Sequence, residues 1–237
     1  MDLEIAVQDA AGAHAAIEGG ATRVELCTAL RLGGLTPSNG TVEAVLAQSQ
    51  GRSHFLQALV RSRGGGYVYN REEVAAMALE IKHLKAAGVH GVVVGALTPE
   101  GDIDLRALDQ WVDAADGLTV TFHRALDASI DPLAQLMRLT ASGVRRVLTS
   151  GGAARSIDGL AVLADMVAHR PAGIEIMVGG GVRIQDIPAL AGVGVDAVHL
   201  SARTAFVDKY PAGPGGGTQE LDATSTSLVA QAKAALG

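Results

Sequence analysis

Gly20-Ala-Thr-Arg-Val-Glu-Leu26, Gly88-Val-His-Gly-Val-Val-Val94, Gly143-Val-Arg-Arg-Val-Leu148 and Gly194-Val-Asp-Ala-Val-His-Leu200 share one local design. A helix-like segment ends in glycine, and two or three residues later an apolar, β-branched run begins. Glycine just past a helix end takes the left-handed conformation that stops the helix and turns the chain. Each stretch therefore reads as a helix-to-strand junction.

Working outward from these junctions, eight strand candidates stand at about residues 3–7, 23–27, 55–61, 91–95, 118–123, 146–149, 174–178 and 197–201. Helical periodicity fills the spaces between them. Val74, Met77, Ile81 and Leu84 form an apolar stripe within 72–87, and residues 132–142 carry similar spacing. Strict alternation argues for a parallel sheet, and eight units of about 30 residues argue for closure into a (β/α)8 TIM barrel. The 237 residues match one such barrel, so 1–237 reads as a single domain. Residues 210–218, rich in glycine and proline, read as a flexible loop before a last helix near 225–236.

Hydrophobic residues make up 48% of the chain and charged residues 19%, which supplies a large core and argues against intrinsic disorder. The net charge of −6 is spread along the chain without a Lys/Arg block, so neither nucleic acid nor a membrane is expected as a partner. The opening Met-Asp-Leu-Glu-Ile-Ala-Val7 has two acids and no basic region, and no uncharged apolar run reaches about 18 residues. A cytoplasmic protein is the expectation. Cys27 is the single cysteine, which excludes an intramolecular disulfide and disfavours a closed thiolate cage.

Alternate side chains of a barrel strand face the helices and the interior. With Val24 and Leu26 turned to the helices, Glu25 and Cys27 face inward. The same phasing sends Glu4, Gln57, Arg61, Thr121, His123, Glu175, Met177, His199 and Ser201 inward. Ordinary barrels fill this space with branched apolar residues. Buried charges cost several kcal/mol each unless paired, so the lining is an ion-pair network, a binding site or both. Glu4 and Glu175 lie near strand starts, where a purely stabilising role competes. Arg61, His123 and Ser201 lie at strand ends, where barrel enzymes carry their chemistry.

Strand seven ends in Gly179-Gly-Gly-Val182 and strand eight in Ser201-Ala-Arg203, the two loops where barrels commonly hold a phosphate. Gly179, Gly180 and Gly181 let backbone N–H groups approach an anion. Arg61, Arg63 and Arg124 add guanidinium groups, and Thr149 and Ser150 precede a further glycine pair. A small anionic ligand is expected, bearing a phosphate or a carboxylate.

Arg23-Val-Glu-Leu-Cys27, Gly33-Gly-Leu-Thr-Pro-Ser38, Arg61-Ser-Arg-Gly-Gly65, Thr121-Phe-His-Arg-Ala-Leu-Asp127 and Val147-Leu-Thr-Ser-Gly-Gly152 resemble the motifs of the CutC copper-homeostasis family. The resemblance runs from about residue 3 to 202. It implies a cytoplasmic barrel, a homo-oligomer such as a dimer or tetramer, and an association with copper tolerance and copper binding. It also implies Cys27 as a copper ligand. Some relatives have cysteines near the end of strand one, where this chain has Ala6 and Val7. Cu(I) ordinarily takes two or more soft ligands, and Met77, Met137 and Met166 fall on helix stripes.

Three readings follow. In the first, an enzyme or sensor acts on a small anionic metabolite, with Glu25 and His123 as acid and base, Arg61 at the reacting centre, and Glu4, Arg63, Arg124, Thr149, Ser150, the three glycines, His199 and Ser201 binding the ligand. In the second, copper is held at Cys27. In the third, Glu4, Glu25, Glu175 and His123 or His199 hold a divalent metal.

Overall fold

The computed structural model describes all residues from 1 to 237 except 50, 141, 211, 212 and 215–218. Strands and helices alternate along it. β1 (Asp2–Val7) leads to α1 (Ala10–Glu18), β2 (Arg23–Leu26) to α2 (Asn39–Leu46), β3 (Leu56–Leu59) to α3 (Arg71–Ala87) and β4 (Gly91–Val94) to α4 (Leu105–Ala115). β5 (Thr119–Phe122) is followed by α5 (Pro132–Arg138), β6 (Arg146–Thr149) by α6 (Leu160–His169) and β7 (Glu175–Gly179) by α7 (Ile187–Gly192). After β8 (Ala197–Leu200), a hairpin of β9 (Arg203–Val207) and β10 (Glu220–Thr224) precedes α8 (Thr226–Ala235). The first eight strands pair in chain order, and β8 returns to β1 in parallel, so the barrel is closed.

The junction glycines explain the alternation. Gly20, Gly88, Gly143 and Gly194 all have φ between +82° and +97°. At the end of α3 the Gly88 N–H bonds the carbonyls of Leu84 and Lys85, and its left-handed turn sends the chain into β4. The start of α3 is equally well defined, because Asn70 and Glu73 form a reciprocal capping box. Between these caps, Val74, Met77, Ile81 and Leu84 are buried against the sheet. Trp111 of α4 is fully buried beside them, and its Nε1–H donates to the Val74 carbonyl. Helix α5 stops at Arg138, earlier than its periodicity suggests. There the N–H groups of Leu139, Thr140 and Ser142 bond carbonyls three residues back, and the Thr140 and Ser142 hydroxyls donate to the Met137 and Leu139 carbonyls.

The hairpin was not visible in the sequence. It brackets the expected flexible loop, of which residues 211, 212 and 215–218 lie outside the described residues. Among the described residues no helix is long and apolar enough to cross a membrane.

Inside the barrel, the N-terminal end is ionic. Arg23 Nε donates to Glu4 Oε2 at 2.6 Å, and the same guanidinium pairs with Asp2. Arg146 Nε donates to Glu175 Oε2 at 3.0 Å and its Nη1 to the Thr121 hydroxyl at 3.3 Å. Both guanidiniums are buried. Arg23 and Arg146 share the inward phase of Glu25 and Leu148. Small apolar clusters share the barrel interior, with Cys27, Leu59 and Val93 in one and Leu148, Met177 and Ala197 in the other.

Removing one member of a buried ion pair strands its partner. Arg23→Met should therefore lower the unfolding free energy by about 3–5 kcal/mol in urea titrations. Arg31→Met, which removes a part-exposed guanidinium from Glu220 and Asp222 while Arg203 still holds Asp222, should cost much less. Equal losses in the two variants would contradict the ionic floor as a structural element.

Candidate functional site

At the C-terminal ends of the strands lies a cavity of about 300 Å3, walled by Glu25, Arg61, His123, Arg124, Asp127 and His199 among others. Parallel strands converge there, and their inward phase carries Glu25 on β2 and His199 on β8 into one space. Beneath them, Glu4 accepts a hydrogen bond on Oε1 from His199 Nδ1–H at 2.9 Å. The opposite ring nitrogen, His199 Nε2, lies 3.9 Å from Glu25 Oε2.

The three groups titrate differently. Burial pushes the Glu4 carboxyl up, but the hydrogen bond from His199 and the charges of Arg23, His199 and Arg146 outweigh it and hold the group at about 2. Burial disfavours charge on His199, yet the hydrogen bond to Glu4 and the two carboxylates raise its pKa. Glu25 has no such support. Burial and the charge of Glu4 push it up to about 7 against the opposing pull of His199. Among the described residues its carboxylate makes no hydrogen bond.

His123 has the opposite character. Burial and the charge of Arg61 hold it down at about 3, so the ring is neutral near pH 7. It caps the 3-10 helix Arg124–Ala128, where its Nδ1 accepts the Ala125 N–H at 3.1 Å. The ring proton is therefore on Nε2, which is buried and has no partner among the described residues. Sequence reasoning expected Glu25 and His123 as an acid and base pair. The imidazole facing Glu25 is that of His199, and His123 is a fixed donor.

The arginines divide by role. Arg61 donates to the carbonyls of Leu32 and Gly34, each at 3.0 Å, and to Gly65 at 2.7 Å. It thus ties two loops to the cavity wall, leaving a buried Nε without a partner among the described residues. Arg124 donates through Nε to Asp127 at 2.7 Å and through Nη2 to the Ser150 hydroxyl at 3.1 Å. A Cβ on Gly180 would sit 2.7 Å from the Arg124 Cζ, and Gly180 has φ +113°. Only glycine lets that guanidinium lie against the chain.

A second recess of about 320 Å3 adjoins the first and shares Leu30, Arg124 and His199 with it. Gly180, Gly181 and Ser201 line it, together with Arg203, whose Nη1 donates to Asp222 at 2.7 Å.

Other expected residues lie elsewhere. Thr149 and Ser150 are fully buried and donate to Asp127, which also accepts the Ser150 N–H. Gly179 is buried, with Leu148 and His199 where a Cβ would go. Arg63 pairs with Glu73 and bonds the Val68 carbonyl, outside both recesses. Asp127 was missed as a site residue although it closes the quoted Thr121-to-Asp127 motif. Its role depends on a 3-10 helix that periodicity does not reveal.

Copper, the metal implied by the resemblance, finds a poor donor set. Cys27 is fully buried among Leu30, Leu59 and Val93, and burial pushes its thiol well above the usual range. The Met177 sulfur is 3.5 Å from the Arg23 guanidinium. No pair of soft ligands for Cu(I) is assembled among the described residues. Glu4, Glu25 and His199 each bring a donor atom within 4.8 Å of the others. Glu4, however, is already engaged by Arg23 and His199, and a guanidinium beside it opposes a second cation. Glu175 and His123, also weighed as ligands, are not in this group.

The depressed His123 pKa fixes a sign. Between about pH 6.5 and 3 the unfolded chain binds a proton that the folded state refuses, so this contribution to stability is lost as pH falls. The slope is at most about 1.4 kcal/mol per pH unit. His123→Gln should therefore lose less stability than the parent between pH 7 and 5 in urea titrations. Parallel losses would show that His123 is protonated in the folded state.

The sequence model of the CutC family matches residues 1–204. A CutC family protein of Photobacterium profundum is 38% identical over 205 residues, covering 86% of this chain and 82% of the relative. One from Xanthomonas campestris is 43% identical over 204 residues, covering 86% and 84%. A solved structure described as the copper homeostasis protein CutC of Streptococcus agalactiae superposes with a TM-score of 0.79 at 29% identity, covering 85% of this chain and 98% of that one. The thiamine phosphate pyrophosphorylase of Pyrococcus furiosus, at TM-score 0.62 and 13% identity, shares the fold alone. This chain belongs to the CutC family.

Proposed function

We propose that the barrel mouth binds a small anionic metabolite, bearing phosphate or carboxylate, and performs acid–base chemistry on it through Glu25. The observation that carries this reading is the convergence of a neutral His123 donor without a partner, the Arg124 guanidinium and the unbonded Glu25 carboxylate on one cavity. Buried polar groups are ordinarily satisfied, so an unpartnered donor in the wall of a recess supports an acceptor on the ligand. The adjoining recess, with Gly180, Gly181 and Ser201, supports an anionic end on the ligand. A cytoplasmic location and a homo-oligomeric assembly, which the family resemblance implies, are part of the same proposal.

A titration with inorganic phosphate, followed by NMR, tests it. Phosphate should bind in the millimolar range, and Arg124→Met should weaken it roughly tenfold or more. Gly180→Ala, which pushes the Arg124 guanidinium out of place, should have a similar effect. Unchanged binding in both variants would contradict the reading.

The association with copper carried by the name of the Streptococcus agalactiae protein supports a second reading, direct metal binding at Cys27. Competition with a Cu(I) chelator separates the two. We expect the parent and Cys27→Ser to bind Cu(I) equally and weakly. Tight binding that Cys27→Ser abolishes would favour copper.

A further inference from the structure

Building on that reading, we infer that the mouth transfers a proton at the carbon beside a carbonyl group, Glu25 taking the proton while His123 and Arg124 hold the oxygen of the resulting enolate. The substrate class is a small carbonyl compound carrying a phosphate. Three placements support this.

First, His123 is part of the cavity wall. Its Nδ1 accepts the Ala125 N–H, so Nε2 carries the ring proton, has no lone pair to take another, and can act only as a donor. A neutral imidazole fixed in this way serves as a donor to a developing oxyanion. The Nε2 is buried and has no hydrogen-bond partner among the described residues.

Second, Glu25 is the carboxylate left open. Asp127 accepts from Thr149, Ser150 and Arg124, and Glu4 accepts from Arg23 and His199. Glu25 accepts from none of the described residues, and burial raises it to about 7, suiting it to accept a proton near neutrality. His199, oriented by Glu4, stands 3.9 Å behind it as a positioning residue.

Third, Arg124 lies at the boundary of both recesses, with Nε and Nη2 engaged and Nη1 without a hydrogen bond among the described residues. A ligand with its phosphate by Gly181 and Ser201 would extend its carbonyl end past Arg124 toward His123.

The step balances without a co-reactant. The C–H bond breaks, its proton passes to the Glu25 carboxylate, and its electron pair forms the C=C bond. The carbonyl π pair moves to oxygen, where the His123 and Arg124 N–H groups donate. In a substrate with a hydroxyl on the carbon that loses its proton, passage of the hydroxyl proton to the adjacent oxyanion and delivery of the Glu25 proton to the former carbonyl carbon complete an isomerisation.

The probe is 2-phosphoglycolate, in which a planar carboxylate next to a phosphate imitates an enediolate. In calorimetry it should bind at least about 100-fold more tightly than inorganic phosphate. His123→Ala and His123→Gln should each remove roughly tenfold or more of that preference. Comparable affinities for the two probes in the parent, or a preference intact in folded His123 variants, would overturn the enolate assignment and leave the anion site standing. Absence of binding by both probes would overturn the anion site as well.

Discussion

The double engagement of Glu4 is the interaction on which the rest of the interior depends. One oxygen accepts from Arg23 and the other from His199, so a buried carboxylate is matched by a buried guanidinium below and an imidazole above. Charge inside a barrel is tolerated only in such company. Because Arg23 and His199 are held by Glu4, the next carboxylate up, Glu25, is left with a single imidazole at 3.9 Å and no hydrogen bond among the described residues. Pairing is complete at the floor and incomplete at the mouth. Stability and chemistry are thereby separated along one axis.

A second arrangement aims the guanidinium of Arg124. Asp127 holds its Nε, Ser150 accepts from its Nη2, and Gly180 offers a surface without a side chain. The 3-10 helix after β5 supplies the arginine and the aspartate, and also the N–H that fixes the His123 tautomer. One short turn thus sets a cation, an anion and a neutral donor at the point where the two recesses meet. Arg61 contributes differently, since its hydrogen bonds to three carbonyls make it a tie between loops more than a free ligand group.

Period-2 phasing made the barrel and its lining legible, because parallel strands alternate strictly and junction glycines mark where each begins. The inward positions of Glu4 and Glu25 followed from the apolar residues that alternate with them, Leu3, Ile5 and Val7 in β1 and Val24 and Leu26 in β2, and alternation along the other strands placed Arg61, His123 and His199. What stayed hidden depends on contacts between distant segments. Arg23 and Arg146 have the same inward phase but lie at the first residues of their strands, where a charged side chain is easily read as belonging to the preceding loop. Arg63 looked equivalent to Arg61, yet it lies in the loop beyond β3, where it pairs with Glu73 at the start of α3. Thr149 and Ser150 looked like ligand groups because the partner that engages them, Asp127, is 22 and 23 residues away in the chain. The hairpin of β9 and β10 lacked the two-residue turn that announces such a ribbon.

The state of His123 tests the central claim most directly. Long-range 1H–15N NMR spectra of the histidine rings at pH 6, with and without 2-phosphoglycolate, read it without a variant. A neutral His123 with its proton on Nε2 is expected, and a shift of that N–H when the ligand is added. A protonated ring, a proton on Nδ1, or an Nε2–H indifferent to the ligand would contradict it.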